Sequence, residues 1–344
     1  MKVRLARALA GFGLLLFSAP GAVGQPARPP SPEAVSESLQ GFGAWVQQIT
    51  DAMAPSNEAG MVYARKLQEL TKGSDPAQLV ARLPELRAAI SELRQALIRS
   101  DTLLARIPDL ENPPPGISAE HGKLILGGAR SQITALRQQA VDAEELVAAL
   151  ERGDQAAVQK AAPKLVRAGF VHLRGQATMY RARREILPAN RSPHYMASVT
   201  VSLYEAMSIA AESWYAARIE GRKTAAAEQG AQFTALALQL ENEVRTGRAI
   251  LAKEMTGVAA VKRNFTDPKT VELLVAAEGM GASVGEAFVI GDDLVTWLRS
   301  SAGTTQEALQ TQNVPALIFD LGVIEQRYVA VSAKMAKTLA QPAG

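Results

Sequence analysis

The sequence predicts an all-α protein, built as an elongated multi-helix bundle with long antiparallel, coiled-coil-like helices. Apolar residues recur at alternating three- and four-residue steps over several long segments, which is the spacing of a buried helix face. The chain is 47% hydrophobic but only 5% aromatic, and small apolar side chains in quantity favour close helix–helix packing over a sheet core. The sequence shows no alternating strand pattern of useful length and no fixed-period repeat.

The first 24 residues have the composition of a secretory signal peptide. Lys2, Arg4 and Arg7 precede a short apolar run at 9–19, and small residues at 22–24 follow it. This order of charged, apolar and small-residue regions predicts cleavage near Gly24 and export to the periplasm or beyond. The apolar run is too short to cross a membrane, and no later segment is predicted to span one.

Charge and cysteine content exclude two classes of function. The chain has 37 Lys and Arg against 34 Asp and Glu, and loss of the three signal-peptide cations leaves the mature chain balanced. The sequence pI of about 9.1 therefore does not indicate a nucleic-acid partner. Because the chain has no cysteine, disulfides, thiol chemistry and a lipid anchor on a cysteine are excluded.

The segment 25–32 is predicted to be a proline-rich tether, and 33–107 to form the N-terminal helices. In this N-terminal region we expect one helix to end near Ala54 and a second to run from Ser56 to Gly73. Apolar residues at three- and four-residue steps before Ala54 give the first of these helices a buried face. They are Phe42, Trp45, Val46, Ile49 and Met53.

A third helix is expected to begin at Pro76, because Asp75 before it has the form of an N-cap. Pro84 is expected to divide a short first turn from the main helix, since proline removes a backbone donor and crowds the preceding turn. The apolar seam of this helix is interrupted only by Ser100. The seam consists of Leu79, Leu83, Leu86, Ile90, Leu93, Leu97, Leu104 and Ile107.

Three consecutive prolines make 108–117 the clearest linker, so the main helical bundle is predicted over 118–344. Its first helix, over 118–152, is about 50 Å long at roughly 1.5 Å per residue. Gly153 and Asp154 then form a tight turn, which predicts that the next helix packs antiparallel to it.

The following helix is expected to end at Leu187, and another to run over 192–221. The apolar seam changes phase after Gly221, which predicts a break there. A short helix is then expected over 267–279.

Two further helices complete the predicted bundle. Ser283, with Glu286 three residues later, predicts a capping box at the start of the first of them. The last helix is expected from about Asn313 and carries an apolar seam to Leu339.

No catalytic or metal constellation fits its sequence context. Residues 281–285 match G-x-S-x-G, but that motif needs a preceding strand and a histidine after the serine. All the histidines precede Ser283, namely His121, His172 and His194. A helical metal site would usually show Glu-x-x-His pairs, which are absent, and a spacing such as that of Glu205 and Glu212 is common on exposed faces. We therefore predict no catalytic residue, metal or cofactor, and interpret the glycines at 279–285 as a flexible turn.

The helical hairpin over 160–218 is the strongest candidate for a binding site. Its first helix carries a line of cations, which is either a solvated face or a docking site for an anion. In the second interpretation Arg191 and the helix start after Ser192 bind a phosphate or carboxylate. Met and aromatic residues of the second helix either fill the core or line an apolar pocket. The predicted ligand-binding residues are Tyr180, Arg181, Arg184, Arg191, His194, Met207 and Trp214.

These features predict an exported, non-enzymatic helical protein that binds a protein or another component of the bacterial cell envelope. One alternative is a periplasmic carrier of an apolar or amphiphilic ligand near Trp214, with the anionic end of the ligand at Arg184 and Arg191. A second alternative is an enzyme that acts on envelope material through two facing buried carboxylates. An apolar seam left exposed would pair with a second copy of the chain, so a homo-oligomer is also considered.

Overall fold

A computed structural model describes residues 32–71, 76–110, 118–264, 268–311 and 314–340. The predicted signal peptide and nearly all of the predicted tether lie outside these ranges. The described residues form nine helices and no strand, which confirms the all-α prediction. The helices are α1 (Pro32–Thr71), α2 (Pro76–Ala105), α3 (Ala119–Glu151), α4 (Gln155–Ile186), α5 (Ser192–Arg218), α6 (Ala225–Asn264), α7 (Pro268–Ser301), α8 (Gln306–Thr311) and α9 (Val314–Ala340).

Helices α1 to α4 share one apolar core. Trp45 of α1, Ile90 of α2 and Ile133 of α3 are among its buried side chains. The indole N–H of Trp45 also donates to the carbonyl of Pro108 (2.8 Å), which ties the end of α2 to α1. The same core continues from α2 into α3 and α4, on either side of the predicted linker.

Helix α5 lies at the centre of a second core. Most of its residues are buried, as expected for a helix that is apolar around most of its circumference. It packs against α4, α6, α7 and α9. Phe233 of α6 and Phe288 of α7 are each 0% exposed in this core. Any ligand site beside α5 is therefore held by helices that are fixed by their packing.

Ion pairs between α2 and α3 repeat at seven-residue steps. Each step of seven forward along α2 is a step of seven back along α3, so these two helices run in opposite directions. All the side chains involved are partly exposed, and such pairs contribute at most about 1 kcal/mol each. Their main effect is to fix the register, as charges beside a coiled-coil seam do. The pairs are Arg87–Glu151 (2.6 Å), Arg94–Glu144 (2.7 Å) and Asp101–Arg137 (3.0 Å).

The same seven-residue spacing recurs between α4 and α5, between α6 and α7, and between α7 and α9. Charges at these helix contacts are thereby neutralised within the protein. A charge at a helix contact without such a partner needs a separate explanation. The pairs are Arg174–Glu212 and Arg181–Glu205, then Glu241–Arg299, Arg248–Asp292 and Lys262–Glu278, and finally Glu286–Lys334 and Asp293–Arg327.

The predicted helix end near Ala54 is wrong, because α1 continues through Pro55. A proline inside a helix removes one donor and bends the hydrogen-bond ladder. Here the backbone N–H of Ser56 donates to the hydroxyl of Ser100 on α2 (3.3 Å), and the Ser56 hydroxyl donates to the carbonyl of Met53 (2.8 Å). Both serines are fully buried. Ser100, the residue that interrupts the α2 seam, therefore accepts a hydrogen bond from the residue that follows Pro55 in α1.

We expect Ser100→Ala to lower the free energy of unfolding by about 1–3 kcal/mol, because the buried N–H of Ser56 loses its acceptor. Urea denaturation measures this change. In a Pro55→Ala background the loss should shrink, since a straighter ladder lets Ser56 bond within α1. Ser131→Ala, at an exposed position of α3, is the control and should shift stability by no more than about 0.5 kcal/mol. Equal losses in the two backgrounds would contradict this explanation of the bend.

Two other predicted interruptions are also wrong. Helix α2 runs through Pro84, which is exposed, so water can bond to the carbonyl that its ring frees. Helix α7 runs through Gly279 and Ser283, and the buried Ser283 hydroxyl donates to the Gly279 carbonyl (3.1 Å) instead of capping a helix. A Cβ at Gly281 would lie 2.2 Å from the Sδ of Met255. This glycine-rich stretch therefore allows α6 to approach closely and is not a flexible turn.

Both predicted glycine turns are confirmed. Gly153 (φ 66°) and Gly221 (φ 67°) adopt the left-handed conformation that favours glycine. Asp154 then caps α4, its carboxylate accepting from the N–H of Ala157 (3.0 Å). The six-residue α8 between α7 and α9 was not predicted.

Two adjacent glycines of α3 provide a matched test of helix packing. A Cβ at Gly128 would lie 2.9 Å from the Cβ of Met179 on α4, whereas one at Gly127 would meet nothing within 4 Å. We expect Gly128→Ala to destabilise the protein by about 1–3 kcal/mol through overpacking. Gly127→Ala should stabilise it by about 0.5–1 kcal/mol through helix propensity. Thermal unfolding compares the two, and shifts of the same sign and size would contradict the described contact between α3 and α4.

Among the described helices, α7 alone has the length and composition of a membrane span. Over Thr270–Ser301 its mean hydropathy reaches 1.5, and 47% of that apolar window is buried against other helices. Ion pairs also join α7 to both α6 and α9, which is typical of a bundle helix. Length and composition do not distinguish a core helix from a span, so the absence of a later membrane span stays a prediction.

Candidate ligand site

Two of the predicted arginines of the α4–α5 hairpin lie in ion pairs with other helices. Arg181 pairs with Glu205 of α5. Arg184 pairs with Glu243 of α6 at 2.7 Å, and these two side chains are only 22% and 14% exposed. An external anion at either arginine would have to displace an internal carboxylate.

The start of α5, where one of the two interpretations of the sequence places an anion, is occupied by a side chain of α6. Arg191 is the N-cap residue, and its guanidinium lies 3.8 Å from the carboxylate of Glu254. The hydroxyl and backbone N–H of Ser192 donate to the same carboxylate, at 2.5 and 3.3 Å. Negative charge is favourable at a helix N-terminus because the free N–H groups and the helix dipole point toward it. Glu254 provides that charge from within the protein.

The remaining predicted residues do not line one common cleft. The Nδ1–H of His194 donates to the carbonyl of Leu187 (2.9 Å), so this side chain caps the end of α4. Met207 and Trp214 are buried, at 3% and 7% exposure, and the Trp214 ring faces the guanidinium of Arg218 at 5.6 Å. Of the predicted set, only Tyr180 lines the cleft described next.

A cleft of about 280 Å³ lies between α4, α5 and α9, and we call it the tyrosine cleft. This volume lies just below the roughly 300–1,000 Å³ that is usual for small-molecule sites, so only a small ligand would fit. The lining residues of each helix follow three- and four-residue spacing, which places them on one helix face. They are Tyr180 and Arg183 of α4, Ala197, Thr200, Leu203 and Tyr204 of α5, and Glu325, Tyr328, Val329 and Ser332 of α9.

Three tyrosines give the cleft a fixed aromatic surface. The rings of Tyr180 and Tyr204 stack with their centroids 5.0 Å apart and their planes at 6°. The Tyr204 hydroxyl donates to the carboxylate of Glu325 (2.5 Å). The Tyr328 hydroxyl donates to the backbone carbonyl of Met196 (3.3 Å). Because stacking or a hydrogen bond holds each ring, a ligand would meet a surface that is already formed.

Two charged side chains of the tyrosine cleft form no ion pair with any described residue. The guanidinium carbon of Arg183 lies 5.5 Å from the centroid of the Tyr180 ring, and its buried Nε has no hydrogen-bond partner. Glu325 accepts a hydrogen bond from Tyr204 but faces no cation within the described ranges. Since Arg183 and Glu325 stand on α4 and α9 and do not pair with each other, the cleft presents one cation and one carboxyl group.

Burial changes the acidity of the polar groups in the cleft. It raises the pKa of the Glu325 carboxyl, an effect that the hydrogen bond from Tyr204 opposes. Burial raises the pKa of Tyr328 to about 12. Burial, with Tyr180 and Glu325 nearby, also holds the pKa of Tyr204 well above its usual value. The phenols of Tyr204 and Tyr328 are therefore neutral donors at neutral pH, and a cation beside Glu325 would favour the charged carboxylate.

The described residues were searched for paired buried acids and for clusters that could hold a metal ion. The enzyme alternative needs two buried acids that face one another, and Glu325 is one carboxyl whose pKa burial raises. No group of three or more His, Asp or Glu in the described part of the chain is placed to hold a metal ion.

The sequence reasoning missed the α9 side of this site. Tyr328 belongs to the apolar seam of α9, and Glu325 and Ser332 are polar residues three and four positions from it. The apolar pattern of a helix places such residues at the edge of the buried face. A signal was available, since polar residues three to four positions from a buried tyrosine can share its helix face. Assigning that face to α4 and α5 required the tertiary structure.

The chain was compared with protein-family models, with curated proteins and with solved structures, and none matches it. The site is therefore interpreted from its own geometry.

Proposed function

We propose that the protein is an exported, non-enzymatic helical binding protein of the bacterial cell envelope that holds a small amphiphilic ligand in the tyrosine cleft. The observation that carries this proposal is the presence of two charges, Arg183 and Glu325, without ion-pair partners among the described residues. Several other charges at helix contacts pair across the bundle at regular spacing. A partly buried charge without a partner costs stability, and a ligand that pairs with it would offset that cost.

The rest of the cleft lining supports a small-molecule ligand. Leu203 and Val329 provide apolar surface, and the hydroxyls of Thr200 and Ser332 provide a few polar contacts. A mostly apolar cleft with a small number of convergent polar groups is the usual form of a ligand site. Binding of a protein or an envelope component on the outer helix faces, alone or as a homo-oligomer, is the alternative proposal.

Native mass spectrometry of the mature protein, purified from its own periplasm and then denatured, tests the proposal. We expect a small molecule of fixed mass to be released on denaturation. Ala197→Phe fills the cleft and should abolish this release, whereas Ala330→Phe, at an exposed position of α9 outside the cleft, should leave it unchanged. A monomer without ligand would contradict the proposal. An oligomer without ligand would instead favour the alternative in which an apolar helix face pairs with a second copy of the chain.

Export has an independent test in the N-terminus of the purified protein. Sequencing should show that the mature chain begins at Gln25, after removal of residues 1–24. Replacing Ala22 by a large residue should retain the precursor at its full length, because the cleavage site requires small residues. A cytoplasmic protein that keeps Met1 would contradict export without affecting the cleft.

A further inference from the structure

We infer that the tyrosine cleft binds a small zwitterion, with the carboxylate of the ligand at Arg183 and its cationic nitrogen at Glu325. This inference rests on the proposed ligand-binding function and specifies the chemistry of the ligand. It combines the two charged side chains of the cleft with the aromatic surface between them.

Arg183 provides the anion end of the site. Its neighbour Arg184 pairs with Glu243, whereas Arg183 has no ion pair with a described residue. The Nε–H of each arginine is buried without an acceptor. A guanidinium presents several N–H donors in one plane, which matches the two oxygens of a carboxylate. The position of Arg183 over the Tyr180 ring (5.5 Å) holds the group at the edge of the cleft.

Glu325 provides the cation end. A carboxylate accepts several hydrogen bonds, and this one accepts a single described bond, from Tyr204. Tyrosine faces attract cations through the negative potential of the ring, and Tyr180, Tyr204 and Tyr328 all line the same cleft. A dianion or a wholly apolar ligand would leave Glu325 without a partner. A simple cation would leave Arg183 without one.

The dimensions of the cleft limit the body of the ligand. A volume of about 280 Å³ suits a compact molecule and not a lipid with long chains. Leu203, Val329 and the tyrosine rings favour an apolar body between the two charged ends. An α-amino acid with an apolar side chain and a small betaine both have this chemistry. They differ because only the amino acid has N–H groups to donate to Glu325.

Isothermal titration calorimetry with defined probes tests the inference on protein that has been unfolded, freed of ligand and refolded. L-phenylalanine, L-leucine and glycine betaine represent the zwitterions. N-acetyl-L-phenylalanine lacks the cation, and L-phenylalaninamide lacks the anion. We expect at least one zwitterion to bind, and removal of either charge to weaken binding about tenfold or more. Preference for the amino acids over betaine would show that the N–H groups of the ligand donate hydrogen bonds to Glu325.

Substitutions assign each charge to its partner. Arg183→Gln should weaken binding of L-phenylalanine about tenfold or more and leave L-phenylalaninamide unchanged, because the amide has no carboxylate for Arg183. Glu325→Gln should weaken L-phenylalanine and leave N-acetyl-L-phenylalanine unchanged. It keeps an acceptor for the Tyr204 hydroxyl, so the fold is retained. The controls Arg152→Gln and Glu272→Gln make the same charge changes at exposed positions outside the cleft and should have no effect.

The inference and the proposed function fail in different ways. If the molecule released from the native protein is not a zwitterion, or if none of the three zwitterions binds, the inference is wrong while ligand binding in the cleft can still hold. Equal loss of L-phenylalanine and L-phenylalaninamide on Arg183→Gln would also overturn it, since the arginine would then not recognise the carboxylate. Absence of both a released molecule and any probe binding would overturn the inference and the proposed function together.

Discussion

Phe288→Ala should lower the free energy of unfolding by about 3–5 kcal/mol, because it removes a ring from the fully packed second core. Phe288 is 0% exposed. Its Cζ lies 2.5 Å from the position that a Cβ at Gly247 would take, so the ring occupies the space left by the missing side chain on α6. Helices as closely packed as these can only partly collapse into the resulting cavity. Urea denaturation of the purified protein measures the loss.

The neighbouring residue supplies the control for this substitution. Val289 is 51% exposed, so Val289→Ala should change stability by no more than about 0.5 kcal/mol. Gly247→Ala should cost about 1–3 kcal/mol by itself, and less in the Phe288→Ala background, because the opposing ring is gone. The Cβ of Tyr195, 2.6 Å from the same position, should keep part of that cost. A loss under about 1 kcal/mol for Phe288→Ala would contradict the described core.

The helices could be predicted from the sequence because a buried helix face is a local pattern. The α2 seam residues Leu83, Ile90 and Leu93 are all fully or almost fully buried, as the three- and four-residue steps predict. Turns at Gly153 and Gly221 were also predictable, since both need a backbone conformation that glycine adopts readily. Both kinds of prediction depend only on residues that are near one another in the chain.

The predicted interruptions were wrong because contacts with other helices satisfy the groups that local rules leave free. The Ser100 hydroxyl of α2 accepts from the N–H of Ser56 beside Pro55, and α1 continues past this proline. Gly281 suggests a turn by composition, but its missing side chain gives Met255 of α6 room to pack. Ser100 and Met255 are far in the sequence from the residues that they contact, so local rules for helix starts and stops do not include them.

The ligand site was only partly predictable for the same reason. The sequence identifies the cations of α4, but the acids that neutralise them lie on other helices, such as Glu243 for Arg184. Tyr180 was among the predicted residues and does line a cleft, whereas Glu325, which lines the same cleft, comes from the last helix. Which cation lacks a partner is a property of the packed bundle. Arg183 could therefore not be separated from Arg181 and Arg184 in advance.

The partly buried His172 should cost the protein about 3 kcal/mol of stability as the pH falls from about 7 to about 4. Burial lowers the pKa of His172 to about 4, against about 6.5 in an unfolded chain. Its Nε2 accepts from the amide of Gln176 (3.1 Å), and its Nδ1 is buried without a partner, so no described side chain stabilises a charged ring. As the pH falls through about 6.5, the unfolded chain therefore binds a proton at this histidine, whereas the folded protein binds it only near pH 4. This contribution is fully present above that pH and is lost as the pH falls toward about 4.

The contribution of His172 to the unfolding free energy changes with pH in the opposite direction to that of Glu325. Substitution of each residue separates the two contributions. The raised pKa of Glu325 means that the folded protein keeps a proton after the unfolded chain has lost it, so that contribution decreases as the pH rises. Unfolding free energies measured by urea denaturation between about pH 4 and pH 8 should fall less steeply toward acid for His172→Gln than for the parent protein. Glu325→Gln, in contrast, should make the fall toward acid steeper. Parallel curves for the parent and His172→Gln would mean that the ring becomes protonated in the folded state as easily as in the unfolded one, which is incompatible with the burial of its Nδ1 without a partner.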